Sequence, residues 1–261
     1  MIPSRYLANC SLLFTEVPLL DRPAAARDAG FAAVEFWWPF PVAVPADAEV
    51  DAFVRAIRDS GVRLVALNFF AGDMPAGDRG VVSWPGRERE FADAVEVAVG
   101  IGEQLGVAGF NALYGNRIDD ASPAQQDELG TANLARAAEA AARINANVLV
   151  EPVSGAPRYP LLIAADAVAV IDRVDKPNVR LLADLYHLTV NGDDVSAALA
   201  KYADRIGHVQ VADAPGRHEP GTGEIPFDRY LAELTDAGYH GWIGLEYKPE
   251  TSTVEGLRWL E

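Results

Sequence analysis

The chain has 261 residues, half of them hydrophobic, and a formal net charge of -16, with a pI near 4.6. That suits one large domain or two small ones around a sizeable core, and it argues against a nucleic-acid partner, which needs a basic face. A small anionic substrate stays open, because it needs only one or two local cations.

The single cysteine, Cys10, has no internal disulfide partner, which points to a reducing compartment. Met1–Phe14 contains Arg5, Asn9 and Ser11 and lacks the apolar core of a signal peptide. No apolar run approaches the roughly 20 residues of a membrane span. The expectation is a soluble, cytoplasmic protein with no membrane partner.

Short apolar runs alternate with longer amphipathic ones along the chain. Tyr6–Cys10 reads as a strand, Pro23–Ala29 as a helix, Ala33–Trp37 as a strand and Asp47–Ser60 as a helix. Arg63–Phe69, Gly109–Leu113 and Asn147–Pro152 read as strands, separated by helical patterns over Gly86–Leu105 and Pro123–Ile144. Ala164–Val174 is helical, Val179–Asp184 a strand, Val195–Tyr202 helical and Gly207–Ala212 a strand. Pro226–Ala237 is helical, Trp242–Tyr247 is a strand, and a further helix is expected over Thr253–Glu261. "SPAQQDELG" supplies a serine cap with proline in the first turn. Gly30, Gly61 and Gly238 follow helices as stops.

Such alternation means βαβ units and a parallel sheet, and eight units in this length match an α/β fold of the single (β/α)8 TIM-barrel type, one domain over 1–261. The rival is an open doubly wound sheet, which usually shows a glycine-rich turn after its first strand. Here that place reads "ANCSLLFTE". The irregular stretches Phe70–Pro85 and Pro215–Pro226 are expected as loops at the barrel mouth.

Four expected strands finish on a polar residue: Glu151 in "VLVEPVSG", Asp184 in "LLADLYH", Gln210 in "GHVQVAD" and Glu246 in "IGLEYKP". Each lies about one strand–helix unit beyond the last, so all four belong at the C-terminal face, where barrel enzymes carry their catalytic groups. Three carboxylates brought together repel, at about 4 kcal/mol for two charges ~4 Å apart in an effective dielectric near 20. A bound dication removes that cost, and carboxylates with an amide oxygen are hard ligands suited to Mg2+ or Mn2+. The plainer account, that each acid caps the next helix, is about as good for any one of them. It is weaker for four in succession.

His187, three residues past Asp184, is a candidate for binding a substrate oxygen or moving a proton, against a structural role on a loop carbonyl. Arg217 is a candidate carboxylate clamp, against a brace to Glu219 or Glu224. Glu35 takes a supporting or substrate role, and His208 a structural one a layer below Gln210. Trp37, Trp38, Phe69 and Phe70 either wall off a small pocket or are core.

"LANCSLLF", "AAVEFWWPF", "EPV", "DLYH", "GHVQVAD", "GRHEPGTGEI" and "GWIGLEYKPET" resemble the hydroxypyruvate isomerases of the xylose isomerase-like barrel superfamily, over about Leu7 to Trp259. The resemblance implies a divalent metal at Glu151, Asp184, Gln210 and Glu246, with the two glutamates as the acid–base pair and His187 and Arg217 touching substrate. Glutamine at 210 is the hydroxypyruvate isomerase pattern, where ketose epimerases usually carry histidine. "LNFFAGD" departs from the family's common "NLPAGD", and His218 stands where glycine is common; both bear on substrate identity.

The reading that follows is an aldose–ketose isomerase of a small hydroxy-oxo acid, with hydroxypyruvate to tartronate semialdehyde as first candidate and Glu/Glu enediolate chemistry. A 2-oxo-tetronate isomerase or ketose 3-epimerase is the alternative, and a metal-assisted hydride shift the rival chemistry. A metal-dependent endonuclease of the same barrel type would want a basic groove and more than four histidines. A non-catalytic sugar-acid binder would not need two glutamates. Relatives are often homo-oligomers.

Overall fold

Runs of three to six apolar residues, too short to bury a helix face, pair as parallel strands in the computed structural model, which describes residues 5–260. The strands are β1 (Tyr6–Asn9), β2 (Ala33–Phe36), β3 (Arg63–Asn68), β4 (Gly109–Asn111), β5 (Asn147–Val150), β6 (Val179–Asp184), β7 (Ile206–Val211) and β8 (Ile243–Leu245). They pair in chain order and close into a barrel, with Tyr6 opposite Ile243 and Ala8 opposite Leu245 at the seam. The open-sheet alternative is thereby excluded.

The helices are α1 (Arg22–Asp28), α2 (Asp47–Ser60), α3 (Glu88–Leu105), α4 (Pro123–Ala142), α5 (Ala164–Val174), α6 (Leu185–Val190), α7 (Val195–Tyr202) and α8 (Phe227–Asp236). Ser122 caps α4 as expected, with Pro123 in its first turn. Gly30, Gly61 and Gly238 take positive φ of 99°, 78° and 88° at the helix stops. Between barrel and helices lies the aliphatic and aromatic core: Phe36 meets Phe53 edge-on at 5.2 Å, and Phe69 stacks on Phe110 at 5.0 Å. Among the described residues no helix is long and apolar enough to cross a membrane.

Three expectations need correction. Most strands are a residue or two shorter than the apolar runs, so Trp37, Phe69, Leu113, Pro152 and Tyr247 lie past the last paired residue; burial continues into the loops after the ladder has ended. Helix α6 was not expected, because it starts directly on the last residue of β6 and is only six residues long. The final helix is a 3-10 segment, Glu255–Leu260, rather than an α-helix from Thr253; Glu261 and the start of the Met1–Phe14 segment lie outside the described residues.

Candidate active site

Every strand presents a buried polar side chain at its C-terminal end. Asn9, Asn68, Asn111 and Asp184 close β1, β3, β4 and β6. Glu35 and Gln210 sit one residue before the ends of β2 and β7, and Glu151 and Glu246 directly follow β5 and β8. The four residues expected at one face are all there, joined by three asparagines that the sequence reading passed over.

Glu35 is the hub of the β1–β2–β7–β8 side. Its Oε1 accepts from Asn9 Nδ2 at 3.0 Å and Gln210 Nε2 at 2.8 Å, and its Oε2 lies 2.7 Å from His208 Nε2. Gly244 makes the room, since a Cβ there would lie 2.5 Å from Glu35 Oε1. His208 is thus a buried support for Glu35. Glu246 shares two of these donors: its Oε2 accepts from Asn9 Nδ2 at 3.0 Å and also from Gln210 Nε2. Its Oε1 accepts from Arg217 Nη2 at 2.6 Å. Arg217 therefore pairs into the barrel mouth and not with Glu219 or Glu224. It also lies over the Tyr186 ring at 5.4 Å and 3.9 Å from Asp184 Oδ2.

On the β4–β5–β6 side, Asn111 Nδ2 donates to Glu151 Oε2 at 2.7 Å, and the buried Tyr159 hydroxyl donates to the Glu151 backbone carbonyl at 3.0 Å. Asp184 has a divided task. Its Oδ1 caps α6, accepting from Tyr186 N at 2.9 Å, while its Oδ2 has no hydrogen-bond partner. The capping account of the acids is right for one oxygen of one residue. His187 Nε2 stands 3.6 Å from that free Oδ2 and 3.9 Å from Glu151 Oε1. Ser154 N donates to His187 Nδ1 at 3.0 Å. A backbone N–H can only donate, so Nδ1 is the lone-pair nitrogen and Nε2 carries the proton, aimed at the acids.

Burial sets the ionisation here. It pushes the Glu151 carboxyl up to about 8, reinforced by the Asp184 charge. It also raises Glu246 well above the ordinary carboxylate range, against the pull of Arg217. Burial lowers His187 to about 4, so its ring is neutral. Arg217 is held above its ordinary value: burial works against its charge, but Glu246 and Asp184 outweigh it.

The residues fit a dication. Asp184 Oδ2 and Gln210 Oε1 are buried acceptors without partners, and Glu151 and Asp184 offer carboxylate oxygens within 4.8 Å of one another. Hard oxygen donors around unmet negative charge suit a divalent cation.

Beside the ring, over the ends of β2 and β3, is a cavity of about 590 Å3 lined by Trp37, Trp38, Asn68, Phe70, Met74 and Arg87 among others. The aromatic cluster thus divides. Trp37, Trp38 and Phe70 wall this cavity, and Phe69 is core.

A closed parallel barrel with acids, an amide and an arginine gathered at its C-terminal face defines a barrel enzyme. The model of the family "Xylose isomerase-like TIM barrel" matches residues 23–261. A Streptomyces coelicolor protein named "Putative hydroxypyruvate isomerase" is 49% identical, covering 98% of this chain and 95% of its own. The 2-oxo-tetronate isomerase of Cupriavidus necator is 37% identical over 98% of this chain and 97% of its own. Among solved structures, one titled as an AP endonuclease, family 2, from Brucella melitensis superposes with a TM-score of 0.90 at 34% identity, covering 98% of both chains. The chain belongs to the xylose isomerase-like TIM-barrel family and is, like its hydroxypyruvate isomerase relatives, an enzyme of the isomerase class.

Proposed function

We propose that the protein is a metal-assisted isomerase of a small hydroxy-oxo acid, converting hydroxypyruvate to tartronate semialdehyde. The observation that carries this is the pair of unpartnered buried acceptors, Asp184 Oδ2 and Gln210 Oε1, set between two buried glutamates. Glu151, Asp184, Gln210 and Glu246 would hold Mg2+ or Mn2+, which when bound supplies positive charge to polarise the carbonyl and stabilise developing oxyanion charge. His187 does not join them as a ligand, because its Nε2 carries the proton.

The reaction moves one proton between carbons. A glutamate carboxylate takes a proton from the C3 hydroxymethyl carbon and leaves an enediolate of the substrate; the other glutamate, protonated at the start, gives its proton to C2 from across the site, and the two carboxyls regain their starting states by proton exchange with solvent. The C3 hydroxyl proton and the new C2 hydroxyl proton balance. With its carboxyl raised to about 8, Glu151 can exist in both protonation states near neutrality, as proton transfer requires, and burial shifts Glu246 in the same direction. His187 Nε2–H donates to the substrate oxygen that gains charge. Arg217, whose buried Nε has no partner, holds the carboxylate with its planar fork.

The large cavity at β2 and β3 favours a second reading, in which the substrate is a longer acid such as a 2-oxo-tetronate. Asn68 of the polar ring lines this cavity together with Trp37 and Phe70, so ring and cavity are adjacent. A three-carbon acid leaves most of it empty. Assaying metal-loaded protein against hydroxypyruvate, 2-oxo-tetronates and ketoses tests both readings: the preferred kcat/KM decides chain length. No conversion of any of them at full metal occupancy would overturn the proposal.

A further inference from the structure

Arg217 is the cation of the site, and its backbone conformation is unusual for a side-chain-bearing residue: φ is 59°, in the left-handed region. Something must hold it there. Asp213, just beyond the end of β7 and fully buried, lies at the centre of the bonds around it.

Asp213 collects four backbone N–H groups of the loop that follows it. Its Oδ1 accepts from Ala214 at 2.8 Å and Ile225 at 3.0 Å. Its Oδ2 accepts from Gly221 at 2.8 Å and Gly223 at 2.9 Å. Its backbone completes the enclosure. The carbonyl accepts from Arg217 N at 2.9 Å, and the amide donates to the His218 carbonyl at 2.8 Å. From the other side, Lys248 N donates to the Arg217 carbonyl at 2.8 Å. Arg217 is therefore fixed at both its amide and its carbonyl, and the ring of bonds that bends the chain back on itself centres on one carboxylate. Gly223 shows how tight the enclosure is. A Cβ there would lie 2.2 Å from the Ala214 carbonyl oxygen and 2.6 Å from Asp213 Oδ1.

We infer that Asp213 is the positioning residue for Arg217: it folds the 213–225 loop around its carboxylate so that the guanidinium reaches Glu246 and the substrate carboxylate. Only a deprotonated carboxylate, with four acceptor positions and no donor, satisfies four N–H groups at once. An asparagine of the same shape turns two of those contacts into donor against donor. The functional consequence rests on the proposed clamp role of Arg217; the placement itself does not.

The test is a double-mutant cycle in the metal-loaded full chain. Asp213→Asn should raise KM for the carboxylate-bearing substrate by ~10-fold, more than it lowers kcat, reproducing most of the effect of Arg217→Ala. In the Arg217→Ala background, Asp213→Asn should change kcat/KM by no more than about two-fold, because residues acting through one another are not additive. Gly223→Ala crowds the same enclosure while leaving the Asp213 carboxylate chemically intact, and should give the same KM-weighted loss. Independently of turnover, the buried Arg217 Nε–H should give a protected 15N-coupled resonance that moves to the exposed-arginine position in Asp213→Asn and Gly223→Ala. If Arg217→Ala leaves KM unchanged, the clamp reading falls, and the resonance still decides the placement. An unmoved resonance, fully additive losses, or cooperative folding lost in both loop variants would overturn the inference and leave Asp213 a structural residue only.

Discussion

Asn111 donates from Nδ2 to Glu151 Oε2 across 2.7 Å, and this is the one side-chain hydrogen bond that the Glu151 carboxylate receives among the described residues. It opposes the burial and the Asp184 charge that push Glu151 toward its neutral form. A hydrogen bond to a charged group contributes about 1.5–3 kcal/mol, or roughly one to two pH units. In Asn111→Ala the pH at which Mn2+ binding is half-lost should therefore move upward by about one unit. Calorimetric metal titrations from pH 5.5 to 9 measure this. Superimposable curves for variant and wild type would show that the amide does not tune the carboxylate.

The metal-free protein should become less stable as pH rises. Burial, then Asp184, raises Glu151 from an ordinary 4.5 to about 8, and Glu246 moves in the same direction. A folded-state proton that the unfolded chain releases makes folding weaker as pH climbs. The contribution is intact below about 4.5 and lost by about 8, amounting to a few kcal/mol across the window. A dication replaces the lost protons, so the rise in Tm on adding Mg2+ or Mn2+ should be larger at pH 8 than at pH 6. Melting curves of chelated and metal-loaded protein across this range test the idea. A chelated protein whose Tm climbs between pH 6 and 8 contradicts it.

Much of the site is legible in the sequence, because an acid terminating an apolar run is anomalous, and Glu151, Asp184 and Glu246 each make that anomaly. The asparagines make it more quietly. "LANCS", "RLVALN" and "GFNAL" end strands on an amide, but asparagine is also an ordinary turn residue, so the pattern carries no charge to flag it. Helix α6 is too short for a 3.6-residue period to be seen. Asp213 was invisible for another reason: its partners are backbone N–H groups, and only the glycines at 216, 221 and 223 hint at a chain folded tightly around something. Arg217 reads from the sequence as a mouth cation, but its protein partner is not legible there, because Glu219 and Glu224 are near in sequence whereas Glu246 reaches it through the barrel.

No cleavage of abasic duplex DNA is expected. A solved structure titled as an AP endonuclease shares the fold and 34% of its residues with this chain, but the formal charge of -16 opposes approach to a polyanion. The buried ring also opens beside an aromatic cavity, suited to a small ligand. A nicking assay on an abasic 30-mer with Mg2+, Mn2+ or Zn2+ at physiological salt measures this directly. Metal-dependent incision at enzyme-like rates would replace the isomerase reading for this chain.

The two glutamates should be separable from the other polar residues by what their loss does to turnover. Glu→Gln keeps the size and one ligand oxygen but removes the carboxylate that exchanges a proton. Glu151→Gln and Glu246→Gln should each lower kcat by ~10² or more with metal still bound, in the range of general acid–base contributions. Glu35→Gln should do less. It turns one of the two oxygens that serve Asn9, Gln210 and His208 into a donor, shifting Glu246 through the shared amides without removing its carboxylate. Isotope exchange then tells proton transfer from hydride shift. A carboxyl that carries the proton can exchange it with solvent between removal and return, so product made in D2O should hold deuterium at the newly formed C–H. A hydride passed directly between carbons leaves that position unlabelled. Unlabelled product would discard the enediolate route, and near wild-type turnover in both glutamine variants, with metal occupancy measured, would show that Glu151 and Glu246 hold the site together without moving protons.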